Sequence, residues 1–225
     1  MDRIPVILSW SGGKDSALAL YELRKRVDYE VRGLLTSVND HYGRISMHGV
    51  REDLLEAQAA AIGLPLHKIR LSENPSNAEY EQKMQTALEN IKAQGIRHIA
   101  FGDLFLEDIR QYRLDNLHKI DMHGVFPLWL RPTDKLAREF IALGFKAVLC
   151  CVDGHVLGAG FSGREYDETL LGEFPAGVDP CGENGEFHSF VYNGPVFRKP
   201  IPLSIGERVT REQRFHFCDL LAMEN

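Results

Sequence analysis

One short loop near the start of the chain constrains its fold more than any other feature. Residues 9–16 read Ser-Trp-Ser-Gly-Gly-Lys-Asp-Ser and lead from an apolar, strand-like run into a helical pattern. Where a strand enters a helix, the first helical N–H groups lack intrahelical partners and the helix dipole is positive. Paired glycines also let the backbone approach an anion closely. The loop therefore predicts a phosphate cradle, with the contacts expected from Ser9, Ser11, Gly12, Gly13, Lys14, Asp15 and Ser16.

The loop departs from two common nucleotide-binding patterns. Its spacing fits neither G-x-x-x-x-G-K-[ST] nor G-x-G-x-x-G. The plainer interpretation is a tight strand-to-helix turn in which Asp15 caps the helix. A turn alone does not call for serines, glycines and a lysine together, so we favour the cradle, with Lys14 supplying the charge.

Strand-like and helix-like segments alternate through the first half of the chain and predict a parallel sheet covered by helices. The second half begins similarly but then becomes rich in glycine. We predict two domains, at residues 1–130 and 131–225, the second smaller and of mixed α/β structure. The predicted strands are 4–10, 29–38, 66–71, 98–102, 146–152, 187–192, 201–209 and 213–220, and the predicted helices 15–26, 50–62, 76–94, 108–122 and 133–143.

Composition narrows the class of protein. Among 225 residues, Lys and Arg number 26 and Asp and Glu 32, a net charge of −6 that argues against a nucleic-acid partner. Hydrophobic residues make up 44%, enough to exclude wholesale disorder. There is no run of 18 apolar residues and no signal-peptide pattern, so we expect a cytoplasmic protein that does not span a membrane. The sequence does not decide between a monomer and a homo-oligomer.

The four cysteines show no C-x-x-C spacing, which argues against a zinc or iron–sulfur site. We expect all four to be small buried hydrophobes. Cys181 is the only one placed to be a reactive thiol, because it adjoins an acidic loop at residues 183–186.

Residues 11–16 resemble the SGGxDS signature of the N-type ATP pyrophosphatases, or PP-loop ATPases. The resemblance implies a Rossmann-like domain of the adenine nucleotide α-hydrolase type. It also implies that ATP is split between its α and β phosphates, with AMP transferred to an oxygen of the substrate.

Four further segments resemble the diphthine–ammonia ligase family and its bacterial relatives over nearly the full length. They are residues 48–52, 102–104, 107–110 and 179–189. The resemblance implies an ATP-dependent ligase that adenylates a carboxylate and forms an amide with ammonia, with ATP and Mg²⁺ as cofactors. Eukaryotic and archaeal members read G-E-x-G-E-Y/F-E/H-T, whereas this chain ends that motif Phe-His-Ser. The acceptor therefore stays open between a protein-borne and a small-molecule carboxylate.

Adenylation chemistry assigns roles to residues beyond the loop. Asp103 follows the fourth strand at the sheet edge where ligands bind, so we predict that it is a Mg²⁺ ligand, with Asp15 the weaker choice and helix capping the alternative. Arg110 and Arg113 share one helix face and could meet the α-phosphate or a substrate carboxylate, or lie solvated. His48 is placed with the nucleotide, although a histidine that simply caps or packs is the more common case.

The acidic loop, residues 183–186, is predicted to serve the second half-reaction, in which ammonia accepts the acyl group. Glu183 and Glu186 lie in a glycine-containing loop and could together receive ammonium, and one of them could act as a general base. The alternative is an ordinary exposed acidic turn. We predict Lys14, Asp103 and Glu186 as the catalytic residues. The predicted substrate-binding residues are Arg110, Arg113, Glu183, Glu186, His188 and Ser189.

Two substitutions express these assignments. We expect Lys14→Ala to remove ATP use but leave the fold intact, since its charge should face the ligand and not the core. Glu186→Gln should spare ATP binding and damage acceptor use. The competing functions are a tRNA-modifying PP-loop enzyme, disfavoured by the acidic charge and the missing cysteine pair, and a nucleotide sensor without turnover.

Overall fold

Two β-sheets organise the chain in the computed structural model, which describes residues 3–41, 43–45 and 49–223. The first sheet has six strands, in the order β3-β2-β1-β5-β6 with β4 also pairing with β2. Its pairs are parallel except for β2 with β3. The strands are β1 Ile4–Ser9, β2 Tyr29–Asn39, β3 Arg44–Ile45, β4 Leu66–Leu71, β5 His98–Ala100 and β6 His123–Val125.

Helices follow these strands, as the alternating pattern predicts. α3 illustrates why they form where they do, because the Ser76 side chain accepts the Glu79 N–H and caps the helix start. Gly63 ends α2 in a left-handed conformation. The helices are α1 Lys14–Lys25, α2 Glu52–Ile62, α3 Asn77–Ala93, α4 Glu107–Lys119, α5 Thr133–Ala142 and α6 Glu168–Glu173.

The second sheet is antiparallel and has the order β8-β7-β10-β9. Its strands are β7 Lys146–Asp153, β8 Phe187–Asn193, β9 Leu203–Arg211 and β10 Phe215–Ala222, and a 3-10 turn spans Ala159–Phe161. The prediction of an α/β chain with a mostly parallel sheet and a second, smaller unit is confirmed. Sequence analysis missed β3, β6 and α6, which are too short to show a periodic pattern.

Alternation along β1 divides the core. Val6 and Leu8 face a cluster that continues through α1 and α2 into the second sheet, where Phe190 lies. Ile7 points the opposite way, into a cluster beneath α3 and α4. The two halves of the chain therefore share one hydrophobic cluster, and a boundary at residue 130 stays a prediction.

Strand order also determines where a ligand can bind. β1 lies between β2 and β5, so the chain builds outward from β1 on both sides. In open parallel sheets, such a reversal leaves a crevice at the carboxyl ends of the strands. Here the crevice lies after Ser9, where the glycine-rich loop enters α1.

Candidate active site

A cavity of about 280 Å³ lies at the carboxyl ends of β1 and β5, and we call it the phosphate cavity. It joins the glycine-rich loop to segments more than 80 residues away in the chain. Most of the predicted site residues line it, namely Ser9, Ser11, Gly13, Lys14, Asp15, Ser16, Asp103, Arg113, Glu183, His188 and Ser189. Gly12, Arg110 and Glu186 do not line it, and His48 lies outside the described residues.

Gln58 holds the glycine-rich loop in place. Its Nε2 donates to the carbonyl oxygens of Gly12, at 2.9 Å, and Val191, at 2.6 Å, while its Oε1 accepts the Trp10 indole N–H at 2.9 Å. Gly12 adopts φ +78°, and a Cβ there would lie 2.7 Å from Gln58 Oε1, so only glycine fits. Sequence analysis assigned Gln58 no role, although a glutamine on the apolar face of a predicted helix was the available signal.

The start of α1 is shaped by both halves of the chain. The Lys14 N–H donates to Ser189 Oγ at 3.1 Å, and the Ser16 hydroxyl donates to Gly13 O at 2.9 Å. Gly102 approaches so closely that a Cβ would lie 2.9 Å from the Asp15 carbonyl carbon. Ser189 is buried and in this structure supports the loop; its predicted contact with substrate stays a prediction.

Lys14 is more enclosed than its sequence position suggests. Its side chain lines the phosphate cavity but the residue is only 4% exposed. Lys14 Nζ lies 2.8 Å from Asp15 Oδ2, donates to the Cys181 carbonyl and sits 5.3 Å from the Phe187 ring centroid. Burial lowers the pKa of Lys14, but Asp15 more than restores it, so the ammonium stays charged. The expectation that this charge lies outside the core is therefore wrong.

The two predicted arginines separate. Arg113 binds Asp103 with both Nε, at 2.7 Å, and Nη2, at 3.1 Å, and faces the phosphate cavity. Arg110 instead pairs with Glu107 at 3.1 Å and lies 4.7 Å from the Trp129 ring centroid. Both assignments to phosphate or substrate stay predictions, but Arg113 alone has the position for it in this structure.

The two glutamates of the acidic loop have opposite environments. Glu186 is 5% exposed and accepts the N–H groups of Asp179 and Asn184, each at 3.0 Å, so its carboxylate closes the loop. Glu183 turns to the phosphate cavity and accepts the Leu104 N–H at 2.7 Å. Burial raises the pKa of Glu183 to about 7, and the neighbouring Asp15 charge acts in the same direction.

A neighbouring cavity of about 470 Å³ extends from the loop across the end of β2 to the start of α3, and we call it the nucleoside cavity. Ser9, Ser11 and His188 line both cavities. Burial, with a smaller contribution from Lys14, lowers the pKa of His188 to about 4, so its imidazole is neutral at physiological pH. The pair of cavities offers one polar and one more apolar chamber joined at the loop.

The carboxylates of the phosphate cavity have the chemistry of a magnesium site. Asp15, Asp103 and Glu183 all line it and offer hard oxygen donors. Within the described ranges, no group of three or more His, Cys, Asp or Glu residues is arranged to hold a metal ion by itself. A site of one or two carboxylates completed by phosphate oxygens fits this arrangement, because Mg²⁺ is commonly bound in that way.

The cysteines are buried, as expected. Burial raises the pKa of Cys181 to about 12, and its thiol lies 3.4 Å from the Thr133 carbonyl oxygen. A thiol with so high a pKa is a poor nucleophile, so Cys181 is a packing residue here. No helix among the residues with described positions is long and apolar enough to cross a membrane.

Comparison with known proteins gives the same family from both halves of the chain. Residues 4–120 match the diphthamide synthase N-terminal domain, and residues 132–220 match the diphthamide synthase C-terminal domain. A zebrafish (Danio rerio) protein named diphthine–ammonia ligase is 25% identical over 223 residues, covering 88% of this chain and 86% of that protein.

Two further relatives carry the same name. The mouse (Mus musculus) protein is 27% identical over 173 residues, with 69% of this chain and 64% of the relative covered. The Schizosaccharomyces pombe protein is 25% identical over 221 residues, and this chain spans only 36% of its length. The N-terminal match alone covers more than half of the 225 residues. The chain belongs to the diphthamide synthase family.

Proposed function

We propose that this protein is an ATP-dependent amide ligase that adenylates a carboxylate, releases pyrophosphate and transfers the acyl group to ammonia. One observation carries the proposal: the glycine-rich loop at the start of α1, which includes Asp15, shares a cavity with carboxylates from two distant segments, Asp103 and Glu183. The loop suits a triphosphate, and the carboxylates suit a cation and a proton. Family membership supports a ligase over a tRNA-modifying enzyme or a sensor.

The two chambers divide ATP between them. The triphosphate lies in the phosphate cavity against the N-terminus of α1 and Lys14, and the adenosine occupies the nucleoside cavity. Asp103 and Asp15 would hold Mg²⁺ together with phosphate oxygens, and the bound ion neutralises phosphate charge. Arg113, already placed by Asp103, faces the same space and can orient a carboxylate.

In the first step, an oxygen of the substrate carboxylate attacks the α-phosphorus. The bond from that phosphorus to the bridging oxygen of the β-phosphate breaks, and pyrophosphate leaves. Lys14 faces the charge that moves onto the departing group. Such fixed charges in an enclosed site are the usual source of rate enhancement in phosphoryl chemistry.

In the second step, ammonia attacks the acyl carbon, the bond from carbon to the AMP oxygen breaks, and AMP leaves. The nitrogen must lose a proton. We assign its acceptance to Glu183, because its carboxylate faces the cavity and its pKa of about 7 suits proton exchange at physiological pH. Glu186, the base predicted from sequence, already uses its oxygens to hold Asp179 and Asn184.

Isotope exchange between labelled pyrophosphate and ATP tests the first step without the second. The protein is incubated with ATP, Mg²⁺ and a pool of free and peptide-borne carboxylic acids, with and without ammonium. We expect exchange that depends on the acids and not on ammonium. Acid-dependent formation of ADP, with no pyrophosphate exchange, would contradict the proposal.

A further inference from the structure

A third cavity, of about 310 Å³, lies between α3 and α4, and we call it the helical groove. Its size is within the range of about 300–1,000 Å³ typical of small-molecule pockets. The Tyr112 hydroxyl of α4 donates to Glu81 Oε1 of α3 at 2.8 Å, which ties the two helices together beside it. The apolar part of its lining is formed by Tyr80, Met84, Leu88, Phe101, Leu117 and Ile120.

The helical groove adjoins the chambers assigned to ATP and shares wall residues with both. Phe101 and Arg113 line both the groove and the phosphate cavity. Tyr80 and Met84 line both the groove and the nucleoside cavity. A molecule that fills the groove therefore has one of its ends beside Arg113, at the wall shared with the phosphate cavity.

Charge is placed at that shared border. Arg113 uses Nε and Nη2 for Asp103, while in the described part of the chain its Nη1 makes no hydrogen bond. The Arg113 guanidinium also lies 4.3 Å from the Phe101 ring centroid, which keeps it at the end of the apolar wall. Lys119 adds a second positive charge to the lining, against one carboxylate, Glu81. The groove thus combines an apolar wall with the Arg113 guanidinium at its border with the phosphate cavity.

We propose that the helical groove holds the apolar body of the carboxylic acid substrate, an aryl or branched alkyl group, with the carboxylate on Arg113 Nη1. The assignment rests on the proposed function and names its substrate class. The apolar wall binds the body by excluding water from it, while Arg113 binds the carboxylate beside the phosphate cavity.

Binding is tested directly by NMR of the full chain, labelled at the methionine methyl groups. Met84 is the reporter, because it lines the groove, and it is one of only five methionines. The probe is 3-phenylpropionate; 3-phenylpropionamide lacks the charge and propionate lacks the ring. We expect saturable movement of the Met84 signal with 3-phenylpropionate. The amide and propionate should bind at least about tenfold more weakly.

A matched pair of variants locates the binding. Gln85 Nε2 donates to Glu89 Oε1 at 2.9 Å, so Gln85→Trp and Glu89→Trp lose the same bond. Gln85 lines the groove, and Glu89 does not. Gln85→Trp should weaken 3-phenylpropionate binding about tenfold by filling the groove, and Glu89→Trp should leave it unchanged. Equal binding by both variants, or no saturable Met84 shift in the natural sequence, would overturn the proposal.

Pyrophosphate exchange separates this inference from the function on which it rests. Exchange that requires acids but is the same in Gln85→Trp and Glu89→Trp would overturn the groove alone. A Met84 shift on binding, without exchange for any acid, would overturn both the ligase function and the groove's role as a substrate site.

Discussion

Two carboxylates of the phosphate cavity, Glu183 and Asp15, are held differently from the carboxylates that join distant strands, whereas the third, Asp103, is paired with Arg113. Burial raises the pKa of Glu183 to about 7 and also raises that of Asp15. Burial acts likewise on Asp219, but Arg51 and Arg44 outweigh it and hold its pKa at about 2. Hydrogen bonds from Arg214 lower the pKa of Asp153 to about 2. A carboxylate that is paired with arginine stays ionised and links two segments of the fold. A carboxylate whose burial is not fully offset by a nearby cation can receive a cation or a proton.

Lys14 gives the largest expected effect, because it is the cation that faces Asp15 inside the cavity. Lys14→Met removes a charge from the phosphate site, which should reduce turnover about 10²–10³-fold. It also leaves the half-buried Asp15 without its cation, which should cost about 1–3 kcal/mol of stability. Thermal unfolding and pyrophosphate exchange measure the two losses.

The double variant Lys14→Met/Asp15→Asn separates these losses. It should recover most of the stability, since no carboxylate is left without its cation, but not the exchange activity. Recovery of activity together with stability would show that Lys14 only balances Asp15 and does not serve the phosphates.

Glu183→Gln has the next largest expected effect, and it distinguishes the role of Glu183 from that of Glu186 in the acidic loop. The amide cannot accept a proton, so amide formation should fall about 10²–10⁴-fold while pyrophosphate exchange persists. At a constant concentration of free ammonia, the rate of the natural sequence should rise with pH through about 7, because the ionised carboxylate is the base, and the variant should lose this rise. Glu186→Gln is the comparison, and we expect it mainly to lower the melting temperature, since Glu186 holds the loop.

The sequence predicts the local features of this fold but not the contacts between residues that are distant in the chain. The glycine-rich loop and the order of helices and strands depend on neighbouring residues, and their local patterns predicted them. The roles of Glu183 and Glu186 depend on which carboxylate meets Leu104 and which meets Asp179, and no pattern within residues 183–186 encodes that. The enclosure of Lys14 by Cys181 and Phe187 likewise joins positions far apart in the chain.

Substitution of Asp219 tests the carboxylates that pair with arginine, and we expect a moderate loss of stability. Its Oδ1 lies 2.8 Å from Arg44 Nη1, and its Oδ2 lies 2.6 Å from Arg51 Nη2, so β10 is tied to the segment before α2. Asp219→Asn leaves both arginines without a charged partner and should cost about 1–3 kcal/mol in chemical denaturation. The exposed Glu207 offers the control, and Glu207→Gln should change little. Equal stability of the two variants would mean that the ion pairs contribute nothing.

The effect of Asp153 is best seen as acid sensitivity. Its pKa is about 2 in the fold, against about 3.9 in an unfolded chain. The stabilisation is therefore complete above pH of about 4 and lost as pH falls towards about 2. Melting curves across this window should show the natural sequence converging on Asp153→Asn as the pH falls. A constant gap between the two would contradict the assignment.

The central claim is that ATP is cleaved between its α and β phosphates to activate a carboxylate for ammonia. Phosphorus NMR of the products, with ATP, Mg²⁺, ammonium and the acid that supports exchange, tests it most directly. We expect AMP and pyrophosphate in equal amounts, both dependent on the acid, and one amide formed for each AMP. ADP and inorganic phosphate in their place would contradict it.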